Sequence, residues 1–167
     1  MMKTIRFFVL VTALLGLAAC GAPSKFKTYN GPEVTRIIIN KGDREMFLMH
    51  HNRVLKSHEV DLGFAPEGHK EFEGDGKTPE GDYTVDRRNP NSSFHLSLGI
   101  SYPNEQDIAY AKVAGKSPGG DIFIHGEPNK SGIFGPDWTA GCISVTNSES
   151  ENVYAMVRDG TPVTINP

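Results

Sequence analysis

Asp121-Ile122-Phe123-Ile124-His125-Gly126, followed after a loop by Thr139-Ala140-Gly141-Cys142-Ile143-Ser144-Val145, is the stretch that decides how this chain folds. Asp121–His125 reads as a short buried strand and Cys142–Val145 as another. Between them, Glu127 to Asp137 contains Pro128, Gly132, Gly135 and Pro136, and reads as a long surface loop of the kind that frames a cleft. Two strands joined this way can lie side by side, which would bring His125 towards Cys142. Gly141 lets the backbone bend and lets a substrate approach with no Cβ in the way. Such a bend, and Gly126 after the histidine, can aim backbone groups at a developing oxyanion. A thiol is mostly protonated at neutral pH and needs a base to become a strong nucleophile, and histidine is the side chain suited to that task. On these residues alone two readings stay open: a Cys–His dyad, and a buried cysteine beside an unrelated histidine.

Outward from this stretch the pattern is β. Val34–Asn40, Arg44–His50 and Val54–Leu62 are short apolar-rich runs separated by the turns Lys41-Gly42-Asp43 and His51-Asn52-Arg53, which predicts a meander of hairpins. Gly63 to Gly76 reads as a loop rich in glycine and charge. Thr78-Pro79-Glu80-Gly81 then feeds a strand at Asp82–Arg87, and Phe94–Ser101 is another. Asn104–Ala114 carries a weak helical stripe of Ile108, Ala111 and Val113. Ser148 with Glu151 forms a capping-box pattern before Val153, Met156 and Val157, a helix that Gly160 ends. Val163–Ile165 is a last strand. With 167 residues, 38% hydrophobic and 22% charged, the chain suits one compact domain, and 18 Gly and 11 Pro favour many short elements. The expected fold class is mainly β with one or two short α-helices.

The first residues follow a different logic. Lys3 and Arg6 precede an apolar run from Phe7 to Ala19, too short to span a bilayer comfortably but suited to a signal-peptide core. It ends in Leu17-Ala18-Ala19-Cys20, which resembles a bacterial lipoprotein lipobox; the other reading is an ordinary secretory signal with an incidental cysteine. The resemblance implies cleavage after residue 19, lipidation of Cys20, and a tether over residues 20–32 leading to a domain at 33–167. Several acyl chains on one terminus give stable membrane anchoring. Gly21 in place of aspartate favours the outer membrane, with the domain facing the periplasm. Loss of residues 1–19 removes Lys3 and Arg6, so the net charge goes from −3 to −5. No basic patch suggests nucleic acid, and no second apolar run suggests a membrane span.

If the lipobox takes Cys20, Cys142 is left without a disulfide partner in an oxidising compartment, where it is buried and inert, intermolecular, or reactive. The spacing of His50, His51, His58 and His69 matches no zinc pattern, so no metal and no cofactor are expected. A regular strand would place His58 on one face with Val54 and Val60. Trp138 reads as packing for the loop, and Asp86-Arg87-Arg88 as a charged strand end.

The run His125-Gly126, then Thr139-Ala140-Gly141-Cys142-Ile143 and Asn147, resembles the signature of the YkuD-type L,D-transpeptidase catalytic domain, in which a His-Gly strand end precedes the cysteine by some seventeen residues. Lys77-Thr78-Pro79-Glu80-Gly81-Asp82-Tyr83 resembles the family's turn before a central strand. Val153 to Ile165 resembles its closing helix, Gly-Thr turn and strand. The resemblance implies a β-sandwich-like catalytic domain. It also implies a reaction: Cys142 attacks an L,D peptide bond in a peptidoglycan stem with His125 as base, and an amine or water resolves the thioester. Many members carry arginine two places after the cysteine, where this chain has Ser144. A hydroxyl cannot grip a carboxylate as a guanidinium does, so recognition is altered or moved, and an arginine of Asp86-Arg87-Arg88 could supply the grip. Phe94-His95-Leu96-Ser97-Leu98 with Ser101-Tyr102-Pro103-Asn104 resembles the YafK-like branch. That branch also lacks the arginine and includes enzymes that release a lipoprotein from peptidoglycan. In that context His95, Tyr102 and Ser144 are candidate substrate-binding residues. The implied functions are cross-linking by transpeptidation, hydrolysis of the same class, or, without turnover, peptidoglycan binding by a lipoprotein scaffold.

Overall fold

Alternation of apolar and polar residues builds the first three strands, β1 (Arg36–Asn40), β2 (Glu45–His50) and β3 (Arg53–Glu59), as the predicted antiparallel meander. Ile37 and Ile39 of β1 and Met46 and Leu48 of β2 are fully buried. Five strands complete the set: β4 (Gly81–Asn89), β5 (Ser97–Ile100), β6 (Phe123–His125), β7 (Ile143–Ser144) and β8 (Pro162–Asn166). The computed structural model describes residues 24–130, 132 and 134–167; the leader and Cys20 lie outside the described residues.

The strand order is β3-β2-β1-β8-β4-β5-β6-β7. β4 is the corner. Its first half pairs with β8, its second half with β5, and its register shifts between Val85 and Arg87. The sheet thereby curls over a single core that includes Val85, Leu98, Ile100, Ile124, Ile143, Val163 and Ile165. This curl makes the expected sandwich-like core from one mixed sheet. The two ends of the order then meet. Asp61, beyond β3, exchanges backbone hydrogen bonds with Ser144 (2.9 and 2.8 Å), and Thr139 does so with Leu62 and Phe64 (3.1 and 2.9 Å).

Two helices are present. α1 (Glu105–Val113) starts at the N-cap Asn104 with Asp107 completing a capping box. Its buried residues are Asp107 and Ala111, whereas Ile108 and Val113 are exposed. The predicted apolar stripe is therefore wrong in detail: a buried carboxylate tied to His69 and Tyr83 anchors this helix. α2 (Asn147–Met156) is capped by Thr146 and Glu149, two residues earlier than the Ser148–Glu151 pattern suggested, because the chain leaves β7 at Val145 and turns at once. Its buried Ser150, Val153 and Met156 face β5 and β6.

A bulge opposite Leu48 and Met49 separates His58 from Val54: His58 and Val60 are buried and Val54 is exposed. Part of the segment read as a tether, from Ser24 onward, lies against the domain.

Candidate active site

β6 and β7 run parallel, with Ile124 opposite Ile143 and His125 opposite Ser144. Cys142 directly precedes β7, so its thiol lies beside the end of β6. The thiol and the His125 imidazole line one cavity of about 450 Å³, together with Ser92, Phe94, Ser97 and Phe123. Cys142 also faces a second cavity of about 650 Å³ on its other side, lined by Lys70, Glu73, Arg87, Tyr102, Asp121 and Ala140 among others. The thiol thus stands on a ridge between two clefts.

The turn that holds Cys142 is fixed by contacts that only glycine permits. Gly141 has φ +132°, and a Cβ there would lie 2.6 Å from the Lys77 carbonyl. The Thr139 hydroxyl donates to the Cys142 carbonyl at 2.7 Å and accepts from Gly141 N–H at 3.1 Å. Gly126 N–H is likewise engaged, with the carbonyls of Phe94 and Leu96. The two glycines shape the backbone, and their own N–H groups are not free for an oxyanion.

Nδ1 of His125 lies 2.7 Å from the Gly126 carbonyl. A carbonyl only accepts, so Nδ1 carries the proton and Nε2 keeps its lone pair. The imidazole is sandwiched by aromatic rings, Phe94 at 4.6 Å and Trp138 at 5.8 Å between centroids. Burial lowers the His125 pKa, and the Gly126 hydrogen bond offsets this only in part. Burial raises the Cys142 pKa, against a hydrogen bond from Phe123 N–H to the sulfur. The thiol itself donates to the Asp121 carbonyl at 3.5 Å. Both groups therefore rest neutral, as a thiol and an imidazole.

Arg87, read in the sequence as part of a charged strand end with an arginine that could supply a carboxylate grip, lines the thiol's larger cavity. Its guanidinium lies 4.5 Å over the Phe123 ring, bonded to Asp86 at 2.8 Å and to Asp121 at 3.1 Å. Gly99 makes room for it, since a Cβ there would meet Arg87 Cγ at 2.5 Å. Lys70, missed in the sequence, is buried and bonded to Asp75 at 2.9 Å. Burial pushes the Asp75 carboxyl up, but hydrogen bonds from Phe72, Lys70, Lys77 and Glu71 outweigh it and hold it at about 2. This carboxylate organises the 70–77 loop, whose function no periodicity could announce.

The remaining candidates divide. Tyr102 lines the larger cavity, although it is 4% exposed and its hydroxyl donates to the Pro118 carbonyl at 2.9 Å. Ser144 is buried and faces a separate groove of about 890 Å³ that includes Arg44, Glu127, Trp138 and Glu149. His95 is not brought to the thiol. It lies behind Gly126, with Nε2 2.9 Å from Glu151, because a left-handed backbone (φ +64°) turns its ring towards α2. Trp138 packs the loop, and it also packs on His125. Among the described residues no group of three or more His, Cys, Asp or Glu is arranged to hold a metal ion. No helix among them is long and apolar enough to cross a membrane.

A curled mixed sheet thus sets a cysteine and a histidine at adjacent strand ends, on one cleft. The sequence profile of the YkuD family, the L,D-transpeptidase catalytic domain, matches residues 34–165, and the chain belongs to that family. YafK of Escherichia coli (strain K12), an L,D-transpeptidase-like protein, is 30% identical over 92 residues, which is 54% of this chain and 32% of YafK. The crystal structure of the helical cell shape determining protein Pgp2 from Campylobacter jejuni superposes with a TM-score of 0.63 at 26% identity, covering 87% of this chain and 51% of Pgp2. L,D-transpeptidase 1 of Mycobacterium tuberculosis shares the fold at 12% identity, with a TM-score of 0.53 over 81% of this chain and 62% of that one. The chain thus spans about a third of YafK and about half of Pgp2.

A neutral resting thiol makes a direct prediction. In a Cys20→Ser chain, alkylation of Cys142 by iodoacetamide should accelerate about tenfold per pH unit through pH 9, without a plateau. A plateau near pH 7 would instead reveal a preformed thiolate–imidazolium pair.

Proposed function

We propose that this protein is a peptidoglycan L,D-transpeptidase that works through a thioester on Cys142. The observation that carries this reading is the shared cavity of Cys142 and His125, with Nδ1–H of His125 committed to Gly126 and Nε2 left as the base. The thiol proton, resting on the Asp121 carbonyl, passes to His125 Nε2 as the sulfur attacks the carbonyl carbon of an L,D peptide bond in a stem peptide. The amide N–H of Cys142 is the donor best placed for the oxyanion, since those of Gly126 and Gly141 are engaged. The tetrahedral intermediate collapses as the C–N bond breaks and imidazolium protonates the leaving amine. A second amine, deprotonated by His125, then attacks the thioester and restores the thiol. Two clefts flanking one thiol suit a reaction in which one chain leaves and another enters.

Arg87 supplies the carboxylate grip that Ser144 cannot. Its guanidinium stacks on Phe123 and holds Asp121, a carboxylate 89% exposed that an incoming substrate carboxylate can displace. Tyr102 forms part of the same wall.

A second reading, hydrolysis of the same thioester by water, is favoured by Ser144 in the position where arginine is common. A lipoprotein scaffold that binds peptidoglycan without turnover is the outcome if the thiol proves inert. We also propose that Cys20 carries the lipid anchor and holds the domain at the outer membrane, facing the periplasm. Labelled palmitate should enter the wild-type chain and not Cys20→Ala; equal labelling of both removes the anchor.

Incubation with a carbapenem should add the drug's mass to the intact protein and nothing to Cys142→Ala. An unmodified wild-type chain that is folded and reduced would leave only the scaffold reading. With tetrapeptide muropeptides, cross-linked dimers mark transpeptidation and tripeptides mark hydrolysis. Arg87→Met should raise KM for the stem peptide by about tenfold or more while kcat changes little, as expected for loss of one charge-assisted hydrogen bond of about 1.5–3 kcal/mol; an unchanged KM would place the grip elsewhere.

A further inference from the structure

His95 has a backbone that side-chain-bearing residues rarely adopt (φ +64°), so the surrounding structure must hold it there. Three groups do so. Its N–H donates to Asn129 Oδ1 at 3.2 Å, its ring Nε2 meets Glu151 Oε1 at 2.9 Å, and its carbonyl accepts from Lys25 Nζ at 3.1 Å. The bend has two consequences at the site. It turns the carbonyls of Phe94 and Leu96 onto one donor, Gly126 N–H, at 3.1 and 3.2 Å. It also sets the Phe94 ring against the His125 imidazole. The Gly126 carbonyl in turn accepts the hydrogen bond from Nδ1–H of His125, and a Cβ on Gly126 would come within 3.1 Å of His95 Cβ. The orientation of His125 is thus built on the bend at His95.

The N-terminal segment supports that bend twice, directly through Lys25 and indirectly through Lys27. Lys25 Nζ bridges the carbonyls of Pro90 (2.7 Å) and His95 (3.1 Å). Lys27 Nζ reaches Ser148 O at 3.0 Å, Asn152 Oδ1 at 3.2 Å and Glu151 Oε2 at 3.1 Å, fixing the carboxylate that holds the His95 ring. Phe26 between them lies 6.3 Å from the Tyr154 ring. A single half-exposed ion pair would contribute little. Here two lysines two residues apart each bridge several groups on α2 and on the loop before β5, and both lines of support converge on His95.

We infer that Lys25 and Lys27 form a strap that positions His125 through Glu151 and His95, making the N-terminal segment a working part of the active site. All four are positioning residues. The inference rests on the reading of His125 as the base. It explains why His95 belongs to the site without touching the thiol cavity.

The test uses the full chain with isotope-labelled histidine, comparing wild type, Lys25→Met/Lys27→Met and Lys25→Arg/Lys27→Arg. Folding is checked by circular dichroism. In the double Met variant the ring nitrogen signals of His125 should move from a pure Nδ1–H tautomer towards a mixture. Its maximal rate of carbapenem acylation should fall about tenfold with little change in half-saturation, and the double Arg variant should recover most of the rate. Unchanged ring signals and an unchanged rate in the folded Met variant would overturn the strap. Should that variant fail to fold, Glu151→Gln, which preserves shape, is judged by the same two readouts. A wild-type chain inert to carbapenem defeats the reading of the site, while the ring signals, which need no turnover, still decide the strap.

Discussion

Three stretches of backbone cross where the ends of the sheet meet, and they can do so because three glycines stand at the crossing. A Cβ on Gly63 would lie 2.0 Å from the Gly76 carbonyl oxygen and 3.0 Å from Gly141 Cα, and one on Gly141 would lie 2.6 Å from the Lys77 carbonyl. Real Cβ contacts do not come so close to backbone, which moves far less readily than a side-chain tip. The crossing joins the segment after β3, the 76–78 turn and the turn that carries Cys142. The Thr78 hydroxyl adds a hydrogen bond to Gly63 N–H at 3.0 Å. Lys41, buried and bonded to the Thr78 carbonyl and Glu80, ties the same turn to the end of β1. The position of Cys142 is therefore set by the closure of the whole sheet.

That closure also explains the electrostatics. Bringing the sheet edges together excludes water from the ends of β6 and β7, and exclusion favours the neutral form of both partners. The thiol is pushed towards protonation and the imidazole towards deprotonation. A neutral thiol is also less open to oxidation than a thiolate, which is the reactive form. Arg87 and Lys70 lie on the cleft side of the thiol, where they lower its pKa slightly against the larger effect of burial. Both cations are themselves paired, Lys70 with Asp75 and Arg87 with Asp86 and Asp121.

What could be read in the sequence was what depends on local pattern. Alternation located the strands, and Gly141 announced a backbone that tolerates no side chain. The placement of His125 on a short buried strand was legible for the same reason. Where the reading failed, long-range contacts had overridden a local signal. The helix at Glu105–Val113 was recognised, but its buried face is defined by Asp107 meeting His69 and Tyr83, residues distant in sequence. Thr146 and Ser148 each have glutamate three places on; the second glutamate is drawn away to His95 and Lys27, which leaves the first to cap α2. A bulge in β3 reversed the faces after Leu55, which no single-strand alternation reveals. His95 lay in a segment that resembles the YafK-like branch but carried no local sign of its left-handed backbone, so its place behind Gly126 could come only from the fold.

The N-terminal segment changes meaning once it is seen docked. A chain free from residue 20 to residue 32 would let the domain range over tens of ångströms, since extended chain covers roughly 3.3–3.6 Å per residue. With Lys25 and Lys27 bound to the domain, the chain from Lys25 onward no longer adds to that span. With the lipid proposed for Cys20, the docked segment would hold the face bearing Pro90, His95 and α2 towards the bilayer. The same hydrogen bonds that shorten the leash also support His125. Undocking the strap would lengthen the reach of the proposed anchor and loosen His125 together, so reach and imidazole orientation would be coupled through two lysines.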